Sequence, residues 1–160
     1  GLSAPKSSDA DGGLSARLMG TFLTWLQEKN SDVFVVATAN NVSVLPAELL
    51  RKGRFDEVFF VDLPNQEERK AILHIHLRLR QQEPGRFDLD RLAEKLDGFS
   101  GAEIEQVVVS ALYQSLHGKT ALKTETIEME GSSTLPLSVS RHEEVSALRE
   151  WARNRFVNVR

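Results

Sequence analysis

Residues 38 to 56 read Thr-Ala-Asn-Asn-Val-Ser-Val-Leu-Pro-Ala-Glu-Leu-Leu-Arg-Lys-Gly-Arg-Phe-Asp, and they carry the strongest structural signal in the chain. They follow an apolar run at 33–37, so Asn40 is predicted to stand at the carboxyl end of a buried strand. Open α/β sheets bind their ligands at that edge. The stretch closes on two arginines, Arg51 and Arg54, around a sharp turn that Gly53 permits.

These residue types suit phosphoryl transfer. A carboxamide such as that of Asn40 can donate to a phosphate oxygen and accept from a water, so it can orient the water without titrating. Guanidinium groups neutralise the charge that develops in the transition state, and one supplied by a neighbouring subunit raises the rate by about 10³–10⁵. The sequence leaves a plainer alternative open, in which Asn40 belongs to a turn. In that alternative the two arginines pair at the surface with Glu48 and Asp56.

The composition describes an acidic globular chain. Its 160 residues are 41% hydrophobic and 27% charged, which fits one domain or one and a half small ones. A formal net charge of −3 argues against a dedicated nucleic-acid or anionic-membrane binder. The absence of cysteine excludes disulfides and thiol catalysis. No apolar run approaches the roughly 20 residues that a membrane-spanning helix needs.

Two short apolar runs predict strands. Residues 33–37 and 58–61 are unbroken and rich in β-branched side chains, which is typical of strands buried on both faces of a parallel sheet. Two such strands cannot cover themselves, and the sequence offers no convincing third. The chain is therefore predicted to be a piece of a larger parallel α/β domain. Residues 1–13 are small and polar, and they are predicted to form a loop.

Helical patterns account for the remainder. After Pro64, capping boxes at Asn65–Glu68 and Ser100–Glu103 predict the start of two helices. Caps at Asp88, Thr124 and Ser140 predict the start of three more. Each predicted helix has apolar residues that are expected to face inward. In a helix before the strands they are Leu14, Leu18, Phe22, Leu23 and Leu26, and in the helix that begins at Asn65 they are Ile72, Leu73, Ile75, Leu77 and Leu79. In the helix that begins at Ser100 they are Ile104, Val107, Val108, Ala111, Leu112 and Leu116, and in the last helix they are Val145, Leu148, Ala152 and Phe156.

From about Arg17 to about Val108 the sequence resembles the AAA ATPases. Leu-Leu-Arg-Lys-Gly-Arg-Phe-Asp at 49–56 and Phe-Phe-Val-Asp-Leu-Pro at 59–64 look most like a poorly characterised bacterial and plastid branch of that family. The resemblance implies an α/β fold for residues 1–63, which would be the carboxyl-terminal part of a parallel, P-loop-type nucleotide-binding domain. Residues 64–160 would form an all-α helical lid domain with a carboxyl-terminal helix.

The resemblance also implies which residues act in catalysis. Asn40 falls on the sensor-1 asparagine of the family, fourteen residues before Arg54. Arg51 and Arg54 fall on the pair of arginine fingers that reach into the active site of the neighbouring subunit.

Four further residues are implied in binding. His76 falls where the family places a histidine beside the adenosine, and Gly101 and Ala102 fall on nucleotide-contacting positions of the lid. Arg17 matches an arginine at the subunit interface. The plainer alternatives are a partly buried helix histidine for His76 and a solvated helix start for Arg17. No metal ligand is predicted in this chain.

Two hallmarks of the family are missing from this sequence. It has no Gly-x-x-x-x-Gly-Lys-Ser/Thr phosphate loop and no apolar strand ending in Asp-Glu to hold magnesium. The 160-residue chain alone is therefore expected to be inactive. Its full-length parent would be an ATP hydrolase whose ATP and Mg²⁺ are bound mainly by residues outside this chain.

The resemblance implies a homo-oligomeric ring, a hexamer, that acts on a protein substrate and not on nucleic acid. It places the protein in the cytoplasm, with the plastid stroma as a second possibility. The competing hypothesis is a non-catalytic helical interaction or adaptor module that has lost ATP binding. A phosphate loop upstream of Gly1 in the reading frame would decide for the enzyme.

Overall fold

A computed structural model describes residues 8–28, 33–39, 45–50, 54–153 and 157–158 of the chain. Its elements divide into two units, Gly1–Phe59 and Phe60–Arg160. In chain order they are helix α1 (Ser8–Glu28), a 3-10 turn (Ala47–Leu50), strand β1 (Phe59–Phe60), α2 (Gln66–Leu79), a 3-10 turn (Pro84–Arg86), α3 (Leu89–Lys95), α4 (Gly101–His117), α5 (Thr124–Ser133), α6 (Leu137–Ser140), α7 (His142–Ala152) and strand β2 (Val157–Asn158).

The first unit contains the long helix α1. A helix at 14–26 was predicted and is confirmed, but α1 already begins at Ser8. The predicted loop is therefore wrong for residues 8–13. Once a helix has nucleated, each added residue gains a backbone hydrogen bond at little cost, and residues 8–13 contain no proline to stop it. Leu26 is buried within this unit, whereas Leu18 is exposed.

The predicted strands are largely absent from the described residues. Residues 33–39 form neither helix nor strand, and the side chain of Phe34 is 92% exposed. Of the run 58–61 only Phe59–Phe60 is a strand, and it pairs with β2. A strand buried on both faces is stable only when neighbouring strands take its hydrogen bonds and helices cover it. Residues 33–37 have no strand assignment and only two residues of the second run do, so both strand predictions are wrong at their predicted lengths.

The second unit is a bundle of short helices, as predicted. Both capping boxes are confirmed: Asn65 Oδ1 accepts from the Glu68 N–H at 3.0 Å, and Ser100 Oγ accepts from the Glu103 N–H at 3.4 Å. Asp88 Oδ1 caps α3 by accepting from the Arg91 N–H at 3.0 Å. The core of the bundle consists of Leu73, Leu77, Phe87, Leu92, Ala93, Leu96, Phe99, Ile104, Val107, Val108, Ala111, Leu122 and Ile127.

Two predicted caps are wrong. Thr124 is the first residue of α5 and Lys123 precedes it, while the Thr124 hydroxyl accepts from the backbone N–H of Asp88 at 3.1 Å. That bond joins the start of α5 to the start of α3. Ser140 ends α6, and Arg141 stands before α7 without a side-chain cap. The predicted inward residue Phe156 lies outside the described residues.

Three predicted inward residues of the second unit are exposed. Ile75 is 53% exposed and Leu79 is 70% exposed, whereas Leu73 and Leu77 are fully buried. Residues two apart on a helix face different ways, so Leu73 and Leu77 cannot share a face with Ile75 and Leu79. On α4 the inward series ends at the buried Ser115, and the next residue, Leu116, is 62% exposed.

Candidate functional site

Two of the predicted nucleotide-binding residues of the second unit, His76 and Gly101, lie along the seam where α2 packs beside α4. At one level of the seam, Gly101 of α4 faces Ile72 of α2. A Cβ added to Gly101 would lie 3.6 Å from Ile72 Cδ1, which is ordinary van der Waals contact. One helical turn further along both helices, His76 Nδ1 lies 3.6 Å from Glu105 Oε1. His76 and Gly101 therefore belong to consecutive levels of the same seam. Ala102 follows Gly101 and is exposed.

The start of α4 at this seam already holds a negative charge. Glu103 Oε2 accepts from both the Ser100 backbone N–H and the Ser100 hydroxyl, each at 2.7 Å. The first turn of a helix ordinarily favours anions, because its backbone N–H groups are unpaired. Here the carboxylate of Glu103 already accepts a hydrogen bond from one backbone N–H at the helix start, that of Ser100. The start of α4 is therefore less available to an added anion than an uncapped helix start would be.

His76 is held by two charged neighbours that the sequence analysis missed. Arg80 Nη1 lies 3.2 Å from His76 Nδ1 and donates to the His76 carbonyl oxygen at 3.1 Å. Arg80 Nη2 donates to Glu105 Oε1 at 2.7 Å. This bond lowers the pKa of Glu105 against the opposing effect of burial, so Glu105 is ionised at neutral pH. The i, i+4 spacing of His76 and Arg80 was visible in the sequence, but nothing in it linked them to Glu105.

Arg54 lies in the first unit and is held by oxygens of α1. Its Nη1 donates to the Leu23 carbonyl oxygen at 3.5 Å. The side-chain amide oxygen of Gln27 faces the guanidinium of Arg54. It accepts from Arg54 Nε at 3.1 Å and from Arg54 Nη2 at 2.7 Å. Among the described residues Arg54 forms no ion pair with Glu48 or Asp56. Both partners that it does have are neutral, so its positive charge is not compensated by them.

The other predicted site residues are placed as follows. Arg17 is exposed on α1, where its carbonyl oxygen accepts from the Thr21 hydroxyl at 3.1 Å. Asn40 and Arg51 lie outside the described residues. Within the described ranges, no three His, Asp or Glu side chains come close enough to hold a metal ion. None of the helices described has the length and apolar content needed to cross a membrane.

Two family models match this chain. Residues 3–63 match the ATPase family associated with various cellular activities (AAA), and residues 86–128 match the AAA+ lid domain. These are consecutive parts of one ATPase architecture, an α/β P-loop domain with a helical lid. The chain belongs to the AAA family of ATPases.

Its relatives include proteins described as "Uncharacterized AAA domain-containing protein ycf46". That of Pyropia yezoensis is 45% identical over 146 residues, which are 91% of this chain and 30% of the relative. That of Trieres chinensis is 44% identical over 146 residues, 91% of this chain and 29% of the relative. An ATP-dependent zinc metalloprotease FtsH of Mesoplasma florum is 42% identical over 97 residues, 61% of this chain and 15% of the relative. The chain therefore spans about three tenths of the length of the ycf46 proteins that it matches.

Proposed function

We propose that this chain is the sensor, arginine-finger and lid portion of an AAA ATPase. The full-length protein would hydrolyse Mg-ATP at the subunit interfaces of a homo-oligomeric ring, a hexamer, and use the cycle to remodel a protein substrate. In this proposal residues 1–63 complete the α/β nucleotide-binding domain and residues 64–160 form the lid. The cytoplasm or a plastid stroma would be its location.

The observation that carries the proposal is the seam between α2 and α4. His76 and Gly101 come from separate helices, yet both lie on this seam, one helical turn apart along the bundle. The carboxylate of Glu103 makes the start of α4 less available to an added anion. Both features support a contact between the seam and the adenosine of ATP. His76, Gly101 and the neighbouring Ala102 are the proposed contacts.

The proposed catalytic groups belong to the first unit. Among the described residues the partners of Arg54 are the Leu23 carbonyl and the Gln27 amide, which are neutral and do not compensate its positive charge. A guanidinium in that state can stabilise the negative charge of a phosphoryl group supplied by a neighbouring subunit. Arg51 is proposed to act beside it, and Asn40 is proposed to orient the attacking water. Arg17 is proposed to contact the adjacent subunit.

The magnesium ion is proposed to be held by residues outside this chain. Phosphate-bound Mg²⁺ prefers carboxylate and hydroxyl oxygens in octahedral geometry. This sequence has no Gly-x-x-x-x-Gly-Lys-Ser/Thr phosphate loop and no apolar strand ending in Asp-Glu. The ion and the phosphates are therefore assigned to residues outside this chain, and the isolated chain is expected to be inactive.

The experiment compares Arg54→Ala with Arg86→Ala in the full-length protein. Arg86 is an exposed arginine of the 3-10 turn in the lid, so its removal is the matched control. Arg54→Ala is expected to leave ATP affinity nearly unchanged and to lower turnover by about 10³-fold or more, because a finger acts mainly on the transition state. Arg86→Ala is expected to leave both unchanged.

Subunit mixing then tests whether the site is shared. Arg54→Ala subunits mixed with subunits that lack a working phosphate loop should regain part of the activity, because each supplies what the other lacks. Assembled mixtures without recovery would contradict a site at the subunit interface. ATP binding without turnover in the unaltered full-length protein would instead favour the non-catalytic module.

A further inference from the structure

We propose that Arg80 and Glu105 form a positioning pair that fixes His76 in the tautomer with its hydrogen on Nε2, so that this N–H donates to an acceptor atom of the adenosine. This inference rests on the proposed function for the identity of the ligand. It assigns roles to Arg80 and Glu105 as residues that act through His76. The orientation and tautomer of His76 follow from contacts within the lid alone.

The tautomer follows from the chemistry of arginine. A guanidinium has only donors and stays protonated in proteins. Arg80 Nη1 approaches His76 Nδ1 to 3.2 Å, so Nδ1 must accept and cannot carry the hydrogen. In a neutral imidazole the hydrogen then resides on Nε2. His76 is consequently a donor at the nitrogen that faces away from Arg80.

Glu105 acts on Arg80 and not directly on the imidazole. Its Oε1 lies 2.7 Å from Arg80 Nη2 but 3.6 Å from His76 Nδ1, which is beyond hydrogen-bond length. The short contact holds one side of the guanidinium, while Nη1 is shared between the ring nitrogen and the carbonyl oxygen of His76. The His76 and Arg80 side chains are each only 19% exposed, so water competes little for these contacts.

A fixed donor is useful where the seam is expected to meet a nucleoside. The unsubstituted ring nitrogens of adenine and the ribose oxygens are acceptors, and a donor already in position binds them without losing orientational freedom. A histidine without Arg80 would populate both tautomers and present an acceptor part of the time. The pair therefore contributes to affinity for the nucleotide and not to the chemical step.

The first test measures the tautomer directly in the 160-residue chain. Long-range ¹H–¹⁵N correlation spectra at about pH 8, where an ordinary imidazole is neutral, distinguish a protonated ring nitrogen from a bare one. The chain has four histidines, and His76→Gln identifies the signals of His76. We expect a bare Nδ1 and a protonated Nε2. A hydrogen on Nδ1 in the unaltered chain would overturn the proposal.

Variants then test what fixes the tautomer. Arg80→Met is expected to give mixed tautomers, and Glu105→Gln an intermediate pattern. Arg80→Lys keeps a donor at this position. It should therefore show more of the tautomer with an unprotonated Nδ1 than Arg80→Met does. Arg78→Met is the matched control, since Arg78 is an exposed arginine of the same helix and should change nothing. A His76 spectrum that is the same in Arg80→Met and in the unaltered chain, with the amide spectrum showing a folded lid, would contradict the role of Arg80.

ATP tests the ligand contact separately. In the full-length protein, Arg80→Met is expected to raise KM for ATP by about twofold, the loss expected when about half of the histidines present the donor, with kcat nearly unchanged. ATP should also shift the Nε2 signal of His76. Bound ATP with no shift at Nε2 would overturn the adenosine contact even if the tautomer is as expected. Failure of ATP to bind at all would instead contradict the proposed function and would leave the tautomer result standing.

Discussion

Arg69 donates from Nη1 to the backbone carbonyl oxygen of Pro64 at 2.7 Å, and this bond ties the segment before α2 to the core of the second unit. The same guanidinium donates from Nε to the Ala93 carbonyl oxygen at 2.7 Å and pairs through Nη2 with Asp97 at 3.0 Å. Arg69 is only 6% exposed, and each of its three nitrogens has a partner. The residue therefore joins the segment before α2 to α3 and to the loop that follows α3.

Replacement of Arg69 should destabilise the lid strongly. Arg69→Ala leaves the two carbonyl oxygens without their donor, and hydrogen bonds from a charged group contribute about 1.5–3 kcal/mol each. We expect the free energy of unfolding of the second unit to fall by about 3 kcal/mol. Arg69→Lys keeps the charge but cannot serve three partners, so it should recover only part of the loss. Urea denaturation, with Arg86→Ala as a control that changes stability by less than about 0.5 kcal/mol, measures the effect.

Gly98 should tolerate no side chain. Its φ is +78°, and an added Cβ would lie 2.2 Å from Ser138 Oγ and 3.1 Å from Ser138 Cβ. The left-handed conformation alone costs a residue with a Cβ about 1–2 kcal/mol, and the Ser138 side chain would also have to move to make room for the new Cβ. Gly98→Ala is therefore expected to lower the free energy of unfolding by about 2 kcal/mol or more. Gly85→Ala is the control, because its new Cβ would lie no closer than 3.8 Å to Glu83 Oε1. Equal thermal midpoints for the two variants would contradict this account.

The local parts of this architecture could be predicted from the sequence, and the non-local parts could not. The caps at Asn65, Asp88 and Ser100 use partners three residues away, so the pattern of residue types was sufficient. The run at 33–37 has strand-forming residues, but a strand also needs neighbours that no local pattern supplies.

Site residues follow the same division between local and long-range information. His76 and Gly101 were predicted from a family resemblance, whereas Glu105 was not predicted. The contact between Arg80 and Glu105 depends on the packing of α2 against α4, and an arginine and a glutamate are common on any helix surface. The buried role of Arg69 was missed for the same reason, since Pro64, Ala93 and Asp97 reach it only in the folded lid.

The contact between Glu105 and Arg80 should make lid stability depend on pH in the acid range. The hydrogen bond from Arg80 lowers the pKa of Glu105 in the folded chain below its ordinary value of 4.5. The unfolded chain therefore takes up this proton first as the pH falls, and the stabilisation is complete above that ordinary value. It is lost as the pH falls through the lowered pKa of the folded state.

The measurement is the difference in unfolding free energy between the unaltered chain and Glu105→Gln, because titrating groups that do not interact with Glu105 cancel in it. The difference should be present above about pH 4.5 and should shrink as the pH falls below that value. The same difference can be measured in chains that carry Arg80→Met, with and without Glu105→Gln. In that background it should no longer depend on pH. A difference that grows toward acid pH would have the wrong sign for a carboxylate with a lowered pKa.

Backbone protection should differ sharply between α4 and the apolar run of the first unit. Helix α4 buries Ile104, Val107, Val108 and Ala111 in the lid core, and its backbone N–H groups are bonded within the helix. Residues 33–39 have neither helix nor strand, and Val36 is 76% exposed. In dilute monomer, amide hydrogen exchange should therefore be far slower at 101–116 than at 33–37.

Pairing of residues 33–37 with another strand should reduce the difference in amide hydrogen exchange between 33–37 and 101–116. An unpaired strand of buried type gains protection only when another edge takes up its hydrogen bonds. Residues 33–37 should accordingly become protected on dimerisation or in the full-length protein, while 101–116 should change little. The control is the same exchange experiment at concentrations that bracket any dimerisation, with the mass of the species measured in parallel. Equal and strong protection of both segments in a strict monomer would mean that residues 33–37 already belong to a sheet, contrary to the fold described above.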